Sequence, residues 1–414
     1  MNKRNLTRRR FGGTAAAGAA VIGAPLPLRP ALAQAANLKV ALLLPTSGGQ
    51  ALIGQACKRG ADVANDVLAD MKIPAKLEIV NYDTETKPDV ARTQAEKAIE
   101  AGANVLIGAF DSGQTIAIAQ VAEQRGVPMI VNIAAAPPIT ESGYKFIVRN
   151  FPTAPMLISG AFQLHKDIFK ASGVTPKTAV LLSLNDTFGT SMVNGIKAMF
   201  PKLDMPYELV DIITYDAAAK DLSVEVAKAK ATKAEMLMPV CRLNDAKLMI
   251  QELVKQRWEP MAVMNPGSPG LYEQDFLKTM GKYGEFHISN VPWLDPKSAM
   301  TQSLEKRHAA KFANDQLDIN GGFTFEAMLI AAQAWLDAKS TKPEPLMDAL
   351  RKIKIDQHVI IGGPIQFDAK GQNVGIKAAA VQNLKRTPTV VMPKASAAAE
   401  LVFPEPGWND KRRT

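Results

Sequence analysis

The chain has 414 residues, 47% of them hydrophobic and 21% charged, with a formal net charge of +9 and two cysteines. The excess charge is local: residues 1–33 hold six basic side chains and no acidic one, so the remainder carries +3 and offers no electrostatic footprint for nucleic acid. Two scattered thiols, Cys57 and Cys241, exclude a disulfide-stapled scaffold, and the remaining length, roughly 380 residues, exceeds what one hydrophobic core usually serves, so two lobes are expected.

In chain order, residues 1–33 are expected to form an export signal. Lys3, Arg4 and Thr7-Arg8-Arg9-Arg10-Phe11 resemble a twin-arginine motif. The stretch 12–28 is too mild to span a bilayer, and Ala31-Leu32-Ala33 has the small-x-small pattern of a signal peptidase site. Cleavage after Ala33 would leave a mature protein in the periplasm.

From Leu38 onward short apolar runs alternate with helical periods. Lys39-Val40-Ala41-Leu42-Leu43-Leu44 reads as a fully buried strand that Pro45 ends. A helix is predicted over 54–71, then strands at 77–82, 104–107 and 128–131 separated by helices over 88–101 and 114–125. The alternation restarts after Asn150-Phe151-Pro152, with strands at 178–182, 208–213, 236–238 and 261–264. Two series of βαβ units imply an α/β fold of two parallel sheets, each covered on both faces. Residues 296–351 are predicted mostly helical, and 365–367 and 378–384 read as returning strands.

Catalytic and metal-binding signatures are missing. His165, His287, His308 and His358 are isolated, the cysteines are unpaired in spacing, and neither a phosphate-binding loop nor a nucleophile elbow occurs. No metal or cofactor is expected, nor an enzyme. Asp83 and Glu85 alternate beyond a strand end, a pattern better read as a solvated loop than as a carboxylate pair. What recurs is a loop of small polar residues at the carboxyl end of a strand, where open α/β sheets bind ligands. Three stand in the first half: Pro45-Thr46-Ser47-Gly48-Gly49, residues 108–115 around Asp111-Ser112-Gly113, and Asn132-Ile133-Ala134-Ala135-Ala136-Pro137. Ser112, with amides at a helix start, can hold a carboxylate, although one such loop alone also reads as a plain helix N-cap.

Together these loops resemble the branched-chain amino-acid type of periplasmic binding protein, the leucine/isoleucine/valine receptors and their amide- and aromatic-acid-binding relatives. The resemblance covers nearly the whole chain after the signal. It rests on the three loops, on Asn81-Tyr82-Asp83-Thr84, on Asn185-Asp186-Thr187-Phe188-Gly189, and on Gly363-Pro364-Ile365-Gln366-Phe367-Asp368. It implies the type I periplasmic binding protein fold, two Rossmann-like parallel-sheet lobes joined by three crossovers. Residues 37–152 and 293–360 would form the first lobe, 153–292 and 361–400 the second, and 401–414 a tail. It also implies a ligand gripped by Ser112 and the backbone near Ala134 and Ala135. Phe188, Arg242 and the Pro266-Gly267 loop would close over that ligand from the second lobe, with Ile53 and Phe323 packing its side chain.

Two departures bear on the ligand. Leucine-type receptors place a Thr about where Ala135 stands, and the Glu that pairs the ammonium about where Pro266 stands. A buried ammonium without a carboxylate is costly, so an α-amino acid would need Asp111 in that role. Arg242, if it faces the cleft, suits a second carboxylate or an acid lacking an amine. The expected role is capture of a small carboxylate-bearing solute by a monomer that delivers it to an ABC permease. A sensor signalling to a partner receptor is the alternative.

Overall fold

A computed structural model describes residues 37–413. The export signal expected over 1–33 lies outside them. β1 (Leu38–Leu44), β2 (Leu77–Asp83), β3 (Val105–Gly108), β4 (Met129–Val131) and β5 (Ile147–Arg149) form one sheet, ordered β2-β1-β3-β4-β5 and parallel throughout. The run in β1 is apolar at every position but Lys39 because helices cover both faces. Val40, Leu42 and Leu44 enter one core, Ala41 and Leu43 the core on the opposite side.

A second sheet contains β6 (Thr178–Leu184), β7 (Glu208–Tyr215), β8 (Met236–Val240), β9 (Ala262–Asn265), β10 (Ile288–Pro292), β11 (Ala378–Leu384) and β12 (Thr387–Met392). Its order is β12-β11-β10-β9-β8-β6-β7, so β6 to β10 repeat the arrangement of the first sheet, and the antiparallel hairpin of β11 and β12 extends one edge. Lys385 and Arg386, both at positive φ, make the two-residue turn that a right-twisted hairpin favours. The chain passes between the sheets three times: after β5, after β10 and before β11.

The helices Ala299–Lys311, Ile319–Ala338 and Pro343–Lys352 pack with the first sheet, where Phe323, Phe325, Met328 and Leu329 enter its core. The helix predicted over 54–71 is two, Ala51–Asp62 and Ala64–Asp70. Residues 365–367, predicted as a strand, make only isolated bridges, whereas β5, β10 and β12 were missing from the sequence reading. Strands of three to six residues carry too little periodicity to stand out from loops. Cys57 and Cys241 are buried, unbonded thiols, and burial pushes Cys57 up to about 12. Among the described residues no helix is long and apolar enough to cross a membrane.

Candidate ligand-binding site

In each sheet the strand order reverses beside its first strand, and loops leaving the carboxyl ends at that point converge on one cavity. Its walls are chiefly apolar. Phe110, Ile133, Ala134 and Ala135 come from the first sheet's loops, Phe188, Pro269 and Tyr272 from the second's, Phe151 from the crossover after β5, and Val291 and Pro292 from the end of β10. Phe323 closes one side, its ring edge-on to Phe151 with centroids 4.9 Å apart. Phe110 has φ +77, an unusual value for a bulky residue, of the kind that clusters at ligand sites. Gly267 has φ +122, which admits the β9 loop to the wall without a side chain.

Polar groups on the wall are few. Ser112 opens the helix Ser112–Arg125, and its Oγ accepts from the Ala136 amide at 3.3 Å, leaving the hydroxyl proton to donate. Asn320 opens the helix Ile319–Ala338, its side-chain amide donating to Asp318 at 3.0 Å. The phenol of Tyr272, with no protein partner among the described residues, is held well above its usual range by burial. No Asp or Glu lines this cavity.

Arg242 lies at the rim. It precedes the helix Leu243–Lys255, with Asp245 accepting its backbone N–H. Its guanidinium donates twice to Asp186, Nη2 at 2.6 Å and Nε at 3.1 Å, and once to Asp111, Nη2 at 2.8 Å. The guanidinium carbon is 5.4 Å from the ring centroids of both Phe110 and Phe188, one from each lobe. Burial would lower its pKa, but Asp186 and Asp111 outweigh that and hold it above the ordinary value. Each aspartate caps the helix that follows a strand beside its sheet's switch point: Asp111, after β3, accepts from the Gln114 amide, and Asp186, after β6, from the Gly189 amide.

Of the expected site residues, Ser112, Ala134, Ala135, Phe188, Arg242 and Phe323 are brought together on the wall. The others are not. Asp111 is off the wall, one oxygen accepting from the Gln114 amide and the other from Arg242 and Gln50. Arg242, expected to answer a ligand carboxylate, is already answered by two of the protein's own. Gly113 is off the wall and faces Thr187 of the other lobe, where an added Cβ would meet the Thr187 hydroxyl at an ordinary contact distance of 3.5 Å. Pro266 is buried one residue short of the wall, and Ile53 lines a separate groove beside Trp293. The sequence reading missed Phe110, Phe151, Tyr272, Asn320 and Asp186 as site residues. Phe110, Phe151 and Asp186 stood inside motifs already singled out, while Tyr272 and Asn320 carried no signal. Among the described residues no three metal-ligating side chains converge.

Residues 37–388 match the family described as periplasmic binding protein. The Leu/Ile/Val-binding protein of Escherichia coli (strain K12) is 30% identical over 357 residues, covering 84% of this chain and 90% of that protein. Among solved structures, the leucine binding protein LivK of Thermotoga maritima superposes with a TM-score of 0.72 at 17% identity, covering 85% of this chain and 97% of that one. An ABC transporter solute binding protein from R. palustris in complex with benzoate has a TM-score of 0.71 at 21% identity, covering 89% and 98%. At these identities the two structures bear on the fold.

Proposed function

Because this chain belongs to the periplasmic binding protein family, we propose that it is the solute-binding component of an ABC importer, capturing a hydrophobic or aromatic carboxylate that lacks an α-amine. The family is one of binding proteins, and the chain is a binding protein rather than an enzyme. One observation carries the ligand class: the cavity pairs aromatic and aliphatic walls with hydroxyl and amide donors, and no carboxylate stands on its wall to receive an ammonium. Desolvating an amine there would go uncompensated, whereas a carboxylate finds donors at Ser112 and the 134–136 loop. Among relatives, the benzoate complex supports an aromatic acid and the Leu/Ile/Val-binding proteins support an amino acid, and the missing carboxylate favours the former.

Capture follows from differential affinity. Ligand held by one lobe gains contacts from Phe188, Pro269 and Tyr272 only when the lobes close, so binding draws the population toward the closed form that a permease would recognise. The binding protein would act as a monomer in the periplasm, exported through its twin-arginine-type signal. Calorimetric titration of the mature protein with leucine, phenylalanine, 4-methylpentanoate, 3-phenylpropanoate and benzoate tests the reading. The acids are expected to bind at least tenfold more tightly than the matching amino acids. Tight leucine binding with no response to the acids would overturn it.

A further inference from the structure

Arg149, the last residue of β5, is 0% exposed, and every acceptor around its guanidinium is neutral. Nε donates to Gln372 Oε1 at 2.7 Å, Nη1 to the carbonyls of Ala134 at 3.2 Å and Ala136 at 2.8 Å, and Nη2 to Thr140 Oγ1 at 2.5 Å. Among the described residues it forms no ion pair. The acids whose charge it feels, Glu141 and Asp368, are both exposed and outside salt-bridge distance. A fully buried cation normally has a carboxylate beside it, because hydrogen bonds to neutral groups restore only part of the lost hydration. Burial pushes this guanidinium down to about 9, which leaves it charged at neutral pH.

The two carbonyls it grips belong to the loop that forms the cavity wall at Ala134 and Ala135. A trans peptide points its C=O and N–H in opposite directions, so with the Ala134 carbonyl turned to Arg149, the Ala135 N–H is turned away from it. That N–H meets no acceptor among the described residues, although Ala135 is 1% exposed. The neighbouring groups are used: the Ala135 carbonyl accepts from Ala154 N at 2.7 Å, and the Ala136 amide donates to Ser112 Oγ. A buried donor left unpaired at a cavity wall calls for an acceptor, which a ligand oxygen can supply.

We propose that Arg149, which touches no ligand, is the positioning residue that sets the cavity's preference for an anion, its unneutralised charge standing one peptide behind the Ala135 N–H and Ser112 hydroxyl that receive the ligand's carboxylate. The inference rests on the carboxylate reading above and names the charge that enforces it. Arg242 cannot serve, since Asp111 and Asp186 neutralise it. Arg149 orients the loop and supplies the field. An uncharged amide of the same shape would make similar hydrogen bonds and gain nothing from that field.

Matched pairs test this: benzoate against benzamide, and 4-methylpentanoate against 4-methylpentanamide, by calorimetry on the mature protein. The wild type should prefer each acid by about thirtyfold, the scale of one charge pair at intermediate dielectric. Arg149→Gln keeps donors and loses charge, and should bring the ratio close to one with amide affinity changed less than threefold, while Arg149→Lys keeps most of the ratio. Thr140→Asp is a second route that sets a carboxylate against Arg149 without removing it, and it should also collapse the ratio. A folded Arg149→Gln that weakens acid and amide equally, or a folded Thr140→Asp that keeps the full ratio, overturns the proposal and leaves the carboxylate reading standing. A wild type without acid preference overturns both.

Discussion

Arg242 reaches across the cleft to Asp111, 131 residues away in sequence, and with an Nη2 to Oδ2 distance of 2.8 Å the pair joins the second lobe to the first. Each side chain is 12% exposed, so the pair is largely withdrawn from water and is screened less than a surface ion pair. It has a bearing on binding because it is made only when the lobes are together. Asp186 and Arg242 both belong to the second lobe's loops, so their pair would survive separation of the lobes. Closure is therefore favoured by a charge pair that is independent of the ligand.

Asp111→Asn should loosen this closure. A hydrogen bond between charged groups contributes about 1.5–3 kcal/mol, so the closed-to-open ratio should fall at least tenfold, and ligand affinity by up to the same factor. Small-angle scattering of the ligand-free variant should show a larger radius of gyration than the wild type. Identical scattering and affinity would mean that the pair does not hold the lobes.

Ser112→Ala should weaken a carboxylate ligand by about 1.5–3 kcal/mol, tenfold to a hundredfold, since it deletes a hydroxyl donor to a charged group. The fold should lose much less, about 1 kcal/mol, because the hydroxyl accepts only the Ala136 amide at 3.3 Å. Unchanged affinity in calorimetry would remove Ser112 from the ligand's path.

Glu273, buried beside the cavity residue Tyr272, is pushed up to about 8, first by burial and then by the charge of Asp318. Its folded value lies above its unfolded one, so the folded state binds the extra proton and stability is lost as pH rises from about 4.5 through 8. Glu273→Gln removes that loss and keeps an acceptor for the Gly270 amide. The Tm of the variant relative to the wild type should rise steadily between pH 5 and pH 8 and then level off. A difference that is flat across that window would contradict the assignment.

Replacing Arg8, Arg9 and Arg10 with Lys should block export, because the translocation machinery reads the arginines and not only their charge. Cell fractionation should find the protein retained inside. Undiminished periplasmic protein would point to another route.

Local pattern was enough to reveal the two-sheet α/β architecture. An apolar run such as residues 40–44 reports burial on both faces wherever it lies, and a Gly/Ser loop behind a strand reports its carboxyl end, so most strands and the loops that carry Ser112 and Ala134 were legible in the sequence, while Phe188 and Phe323 were placed by resemblance to a family. Periodicity gives the face of an element but not what stands opposite. Whether Arg242 met a ligand or the protein's own Asp111 and Asp186 depended on how two loops from different lobes approach, and the same approach set Gly113 against Thr187. Arg149 shows the limit most directly: its charge is visible in the sequence, but that it is buried, gripping the back of the ligand loop without a carboxylate, is decided by the crossover packed around it, where Gln372 arrives from 223 residues away.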